Sequence, residues 1–371
     1  MTENYTALYD QHKKAGASFT DFGDWQMPLK YTSELAEHHA VRNAAGLFDL
    51  SHMGEVWVTG PDAGAFLDYA LAGKLSAIAV GKAKYSLICD ADGGIIDDLI
   101  SYRRPSPEAG SEKYLVVPNA GNAQTVAAAL AERAADFDVA VEDASAETSL
   151  IAVQGPNAEA ILLQLVPAGQ HTLVTELKYY AAVEVGITFN GTVQTLLLAR
   201  TGYTGEDGFE IYVPNEDAAG LWEALLDAGA AHGLIPAGLA CRDSLRLEAG
   251  MPLYGNELSR RVNAYAAGLG PVVSLAKESD FVGKEALAAL KAAGVGSTMG
   301  QKLVGLKGLG RRAARSHYPV LKDGTLVGEV TSGQPSPPSA TRWRWLMSTS
   351  SIPKLARSWT STCAARPSRS K

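Results

Sequence analysis

Cysteine is scarce in this chain: three in 371 residues, at positions 89, 241 and 363, none in a Cys-x-x-Cys spacing. So few, so widely separated, argue against a disulfide framework or a cysteine metal site and fit a reducing cytosol. Long apolar runs are missing too, and nothing approaches the roughly 18 residues of a membrane span. The opening MTENYTALYDQHKKAG is polar, so no secretory leader is expected there. An excess of positive charge is also lacking: 33 Lys and Arg face 40 Asp and Glu, a formal charge of −7, which argues against a nucleic-acid surface. The seven histidines make no metal site, since His38 and His39 are neighbours and on a helix diverge by about 100°. His52, alone in Phe48-Asp49-Leu50-Ser51-His52-Met53-Gly54, reads as a hydrogen-bonded packing residue rather than a catalytic base.

What is present is a soluble globular composition, 46% hydrophobic and 20% charged, on a chain too long for one ordinary core. Two or three domains are expected. The first 50 residues read as a helix, a loop containing Trp25 and Pro28, and a helix near Ser33 to Asn43. Residues 54 to 140 follow as strand, helix, hairpin, strand, helix. The same order returns after Ser149, with strands near 150–153, 182–188, 195–200 and 209–213 and helices near 216–231 and 240–248. Two stretches of sheet with helices suggest a duplicated α+β architecture. Short strands with Gly turns between Gly300 and Thr331 suggest a small β-domain.

The richest segment is Asp92-Gly93-Gly94-Ile95-Ile96-Asp97-Asp98-Leu99-Ile100. Asp92-Gly93 is a hairpin-turn signal joining the run from Lys84 to the run from Ile95. Two carboxylates in an apolar strand are costly unless hydrogen-bonded or put to use. Side chains alternate along a strand, so Asp97 shares a face with Ile95 and Leu99 while Asp98 joins Ile96 and Ile100. At most one acid faces a given pocket, where apolar neighbours would raise its pKa towards proton transfer. A second Gly-rich run, Thr201 to Ile211, lies between two strands and lacks the Lys-Ser/Thr of a phosphate loop. Alternation sets Glu210 and Tyr212 opposite Phe209, Ile211 and Val213, and leaves Glu206 and Asp207 in a solvated loop. Arg242 and Arg246 sit four apart on one helix face, a pattern that suits structural ion pairs. A carboxylate and a guanidinium converging would equally suit a planar ligand with amide-like groups such as a pterin, with Tyr85 and Tyr203 as aromatic walls.

The last 34 residues differ from the rest. From Pro338 to Lys371 there are seven Lys and Arg, no acid, and three of the six tryptophans, which leaves −14 for the first 337 residues. A disordered basic tail is one reading. The sharper one is a frameshift, because codons can be chosen whose other frame gives an acidic, strand-like run.

The strings FGDWQMPLKY, EHHAVRNAAGLFDLSHMG, KYSLICDADGGIIDDLI, IAVQGPNA, RTGYTGEDGFEI, GLACRDSLRLEAGMPLYGNEL, DFVGKEAL and EVTSGQPSP together resemble the T-protein family of the glycine cleavage system, tetrahydrofolate-dependent aminomethyltransferases. The resemblance runs over residues 5 to 337. It implies an α+β cloverleaf of three domains around a central folate pocket: residues 1–50 with 141–270, two ferredoxin-like units counting 51–140, a small β-barrel at 271–337, and an aberrant tail at 338–371. It implies transfer of a methylene from the lipoyl arm of H-protein to tetrahydrofolate, giving 5,10-methylenetetrahydrofolate, ammonia and dihydrolipoyl H-protein, with no metal. By motif matching Asp97 takes the place of the catalytic acid beside the folate. Glu210 and Arg242 match the pterin-holding positions, and Tyr85, Asn119 and Tyr203 match the cavity lining. Ala264 stands where a proline is usual and Pro271 where many members carry tryptophan. A barrel lacking its closing strands would be incomplete and expose strand edges. Two relatives of the same fold are alternatives. A folate-dependent demethylase would need a flavin domain, but no Gly-x-Gly-x-x-Gly follows a first strand. A folate-binding iron–sulfur assembly factor would carry KGCYxGQE, where this chain has Arg246-Leu247-Glu248-Ala249-Gly250.

Overall fold

Two antiparallel sheets meet face to face in the computed structural model, which describes residues 3–294, 300–307, 314–334 and 343–349. One has six strands in the order Ala182–Phe189, Thr192–Ala199, Gly208–Pro214, Thr148–Gln154, Ala45–Asp49 and Leu234–Pro236, the last paired in parallel. The other has five, ordered Ala83–Cys89, Ile95–Arg104, Glu112–Val117, Val56–Gly60 and Ala140–Asp143. Alternation along each strand divides its side chains between two apolar layers. Phe209, Ile211 and Val213 turn outwards against Leu221, Trp222 and Leu225 of the helix Asn215–Gly229. Val56, Val58, Tyr114 and Val116 do the same under the helices Ala63–Ala70 and Ala123–Arg133. The opposite faces pack on each other: Ile100, Tyr102, Leu115 and Val117 from one sheet meet Leu150, Ala152, Ala199 and Tyr212 from the other. Among them a fully buried Leu or Val contributes about 1.5–3 kcal/mol.

Local chemistry sets the element ends. Ser33 caps the helix Glu34–Asn43, its Oγ accepting from Ala36 N–H at 3.1 Å. Gly250, at φ +81°, closes the helix Leu239–Ala249 in the left-handed conformation that glycine adopts without strain. Trp25 and Pro28 lie in a strand rather than a loop: Ser18–Phe22 and Trp25–Lys30 form a two-stranded sheet of their own. Pro28 fits because a two-stranded ribbon has edges that need no donor.

Two features bear on the expected domain boundaries. The expected break at 140/141 falls inside the strand Ala140–Asp143, which pairs with Val56 to Thr59. Residues beyond 250 leave the six-stranded sheet: Leu258, Ala264, Phe281 and Leu287 pack on Leu87, Cys89 and Ile95 of the other one. On both grounds, we propose that each sheet and its covering helices form one domain. The third sheet has four described strands, ordered Gln301–Lys307, Trp343–Thr349, Thr325–Gly333 and Pro319–Lys322. The strand Trp343–Thr349 belongs to the aberrant tail, and its backbone pairs on both sides, as any non-proline backbone can. Residues 335–342 and 350–371, and with them most of the frameshift question, lie outside the described residues.

Candidate functional site

A chamber of about 120 Å³ opens at the end of the seam between the two sheets. Tyr85 and Asp98 come from the hairpin strands, Asn119 from the loop after Glu112–Val117, Tyr203 and Glu210 from the Gly-rich run, and Arg242 from the helix Leu239–Ala249. Five of the six residues expected from sequence therefore share one hollow. A second chamber of about 230 Å³ adjoins it, lined by His52, Asn122, Leu253 and Tyr254 as well as by Met53, Asn119 and Arg242, which border both.

Asp97 is the exception. It lines neither chamber. Its side chain is fully buried on the helix-covered side of the sheet, where Asn119 N–H (2.8 Å), Asn119 Nδ2 (2.9 Å) and Asn122 Nδ2 (2.7 Å) all donate to it. Those bonds hold the loop between Val117 and the helix Ala123–Arg133, whose first turn would otherwise be left without anchors. Asp98 points the other way, as alternation requires, and is the acid in the chamber wall. It accepts Tyr85 O–H at 2.9 Å and Asn119 Nδ2 at 2.9 Å. Only the side of the strand separates the two neighbours.

Both acids lie above the ordinary carboxylate range. Burial pushes Asp97 up to about 7, with the Asp98 charge adding to it against the hydrogen bonds from Asn119 and Asn122. Burial also pushes Asp98 up to about 6, while Tyr85, Asn119 and the Arg242 charge pull it down. A carboxyl in that range holds or gives up a proton near neutral pH.

Across the chamber, Glu210 accepts from Thr201 Oγ1 at 2.5 Å, and Tyr102 O–H reaches both Thr201 (2.9 Å) and Glu210 (3.4 Å). Burial raises the Glu210 pKa, and Thr201 and Arg242 oppose that shift. Arg242 lies over the Tyr203 ring, its guanidinium carbon 4.5 Å from the centroid. Tyr203 is fixed in turn by its O–H bond to the Pro252 carbonyl at 2.5 Å. Arg246 plays another part: it donates to Glu257 at 2.9 Å and to Ser332 at 2.7 Å, tying the helix to the C-terminal sheet. Glu206 and Asp207, expected in solvent, pair with Arg42 at 2.8 Å and Arg200 at 2.5 Å.

Sequence reasoning did not find Tyr180, which lines the chamber at φ +59°, a conformation costly for an aromatic residue. No local signal marks it. Thr201 was visible in the RTGYTG string but assigned no task. The segment from Asn263 to Val272, which holds Ala264 and Pro271, packs behind the hairpin and lines neither chamber. Among the described residues no three His, Cys, Asp or Glu side chains converge as a metal site needs, and no helix is long and apolar enough to cross a membrane.

Residues 8–277 match the family model described as the GCVT N-terminal domain. The chain is 54% identical over 335 residues to an aminomethyltransferase of Streptomyces avermitilis, covering 90% of this chain and 86% of that protein. It is 53% identical over 336 residues to an aminomethyltransferase of Cutibacterium acnes, with the same coverage. Among solved structures it is similar to the glycine cleavage system aminomethyltransferase T of Bartonella henselae, with a TM-score of 0.83 and 35% identity over 93% of this chain and 90% of that one.

Proposed function

Because the chain belongs to the GCVT family and is an aminomethyltransferase of the glycine cleavage T-protein type, we propose that tetrahydrofolate is its acceptor and the lipoyl arm of H-protein its donor. In this reading it works in the cytoplasm, moves the methylene of the aminomethyl group to tetrahydrofolate, and releases ammonia and dihydrolipoyl H-protein. One observation carries it: two carboxylates and a guanidinium, Asp98, Glu210 and Arg242, converge on one chamber walled by tyrosines.

The donor set fits a reduced pterin. A pterin offers N–H and amino donors along one edge and a carbonyl acceptor beside them. Glu210, held by Thr201 and Tyr102, takes the donor edge. Arg242 supplies N–H donors for the carbonyl; among the described residues its guanidinium donates no hydrogen bond that would have to be broken first. Tyr85 and Tyr203 cover the ring faces. When bound, tetrahydrofolate supplies the nitrogen nucleophiles that take up the one-carbon unit.

Asp98 is the acid of the reaction, in place of Asp97. Tyr85 and Asn119 hold its carboxyl in one orientation before any ligand arrives, so little reorganisation accompanies the reaction. Its raised pKa lets it accept a proton as charge develops and return it afterwards. Asn119 acts on both acids, orienting Asp98 and anchoring Asp97.

The test is ammonia release from aminomethylated H-protein with and without tetrahydrofolate. Release should require tetrahydrofolate and be nearly abolished in Asp98→Asn. Equal release without tetrahydrofolate would sink the reading of the acceptor, and full turnover by Asp98→Asn would sink the assignment of the acid.

A further inference from the structure

His52 lines the second chamber and has no task in the scheme above. The imidazole is 1% exposed, and neither ring nitrogen meets a hydrogen-bond partner among the described residues. Interiors rarely leave such a group unpaired, and sites that bind ligands are where the exceptions gather. Its plane is fixed without use of either nitrogen, by an edge-to-face contact with Phe22 at 5.5 Å and 87°. Burial and the Arg242 charge push its pKa down to about 3, so the ring is neutral, with one N–H and one bare nitrogen.

The two chambers differ in chemistry. The first has the carboxylates Asp98 and Glu210; the lining of the second has none, its polar side chains being Asn119, Asn122, Arg242, His52 and Tyr254 among apolar groups such as Met53 and Leu253. An uncharged amine on a thin alkyl-sulfur arm suits that lining, whereas the Arg242 charge disfavours an ammonium there. The chambers meet at Met53, Asn119 and Arg242, so an arm end held in the second lies against a ring held in the first.

We propose that His52 is a binding residue for the amine of the incoming aminomethyl group, accepting a hydrogen bond from its N–H through the bare ring nitrogen. The proposal rests on the donor and acceptor named above. No proton changes hands at His52; the contact holds the amine at the border of the two chambers.

Nitrogen-15 NMR of wild-type protein labelled at histidine tests it directly, with the His52 resonances identified by their loss in His52→Gln. They should move when aminomethylated H-protein is added, and stay in place with tetrahydrofolate alone or with dihydrolipoyl H-protein, which carries no amine. Kinetics add a second measure. His52→Leu should raise KM for aminomethylated H-protein about tenfold, as loss of one hydrogen bond predicts, and leave tetrahydrofolate affinity within about twofold. His52→Gln, which keeps an acceptor, should recover most of that loss. Resonances unmoved by aminomethylated H-protein, or moved as far by tetrahydrofolate, would overturn the proposal, as would wild-type KM in His52→Leu. If wild-type protein releases no ammonia, the activity reading itself fails; if it does while the His52 signals stay still, only this assignment fails.

Discussion

The two walls of the first chamber carry the same functional group and hold it with different partners. On the hairpin wall two carboxylates follow one another along a strand, the Asp98 charge adding to the cost of ionising Asp97, with amides and a phenol to hold them. On the facing wall a single carboxylate rests on two hydroxyls with a guanidinium lining the same hollow. Burial raises the pKa on both walls, and the Arg242 charge lowers it on both, so the difference lies in what holds each acid: amides and a phenol on one side, hydroxyls on the other. In the proposed function, proton handling falls to the hairpin wall and recognition to the facing one, and only one of the two neighbouring acids faces the hollow.

Exchanging acids for amides is the most direct way to break that contrast. Asp98→Asn should lower kcat for ammonia release by about 10²–10⁴, the usual worth of a positioned general acid or base. Asp97→Asn should lose less, since it lines neither chamber, and a loss as deep in a protein with unchanged Tm would erase the distinction between the neighbours. Glu210→Gln should act on binding instead, weakening tetrahydrofolate about tenfold by calorimetry with a smaller change in kcat.

Stability should separate the neighbours by sign. An amide at position 97 cannot accept all three N–H donors there, so Asp97→Asn should cost about 1–3 kcal/mol in chemical denaturation. Asp98→Asn removes a buried charge whose folded pKa lies above the ordinary 3.8, and should be neutral or raise Tm at pH 8. The smallest effect is the pH dependence itself. Both acids have folded pKa values above their unfolded ones, so between about pH 4 and 7 the native state binds more protons than the unfolded chain, and this pair makes stability fall as pH rises through that window. Denaturation at pH 5 and pH 8 should show wild type losing more than Asp98→Asn over that interval.

Much of this was legible in the residues. Helix and strand periodicity placed the strands around Ile95, Leu150 and Phe209 and the helices after Asn215 and Leu239 within a few residues. The alternation of Glu210 against Phe209 and Ile211 also read correctly, because both sheet faces are buried and a slip would expose one of them. The first hairpin was missed, since Trp25 and Pro28 resemble loop residues until a partner strand is present. Which of Asp97 and Asp98 lines the chamber was not legible, because chain order does not say which face of a sheet looks into a hollow. Tyr180 and the ion pairs of Glu206 and Asp207 were out of reach, being set by contacts between distant segments.

The turn at Asp90 to Gly94 has a consequence for how this gene can vary. Asp90 Oδ1 accepts from Asp92 N–H at 3.0 Å and Gly94 N–H at 2.8 Å, and a methyl group on Gly94 would come within 2.2 Å of the Arg260 carbonyl. Surface turns usually absorb insertions and deletions with little harm. Here a one-residue change in length that slid the following strand by a single step would turn each of its side chains to the opposite face, taking Asp98 out of the hollow and the apolar residues out of their layers. This turn should therefore resist changes of length, and at Asp90 and Gly94 changes of letter as well.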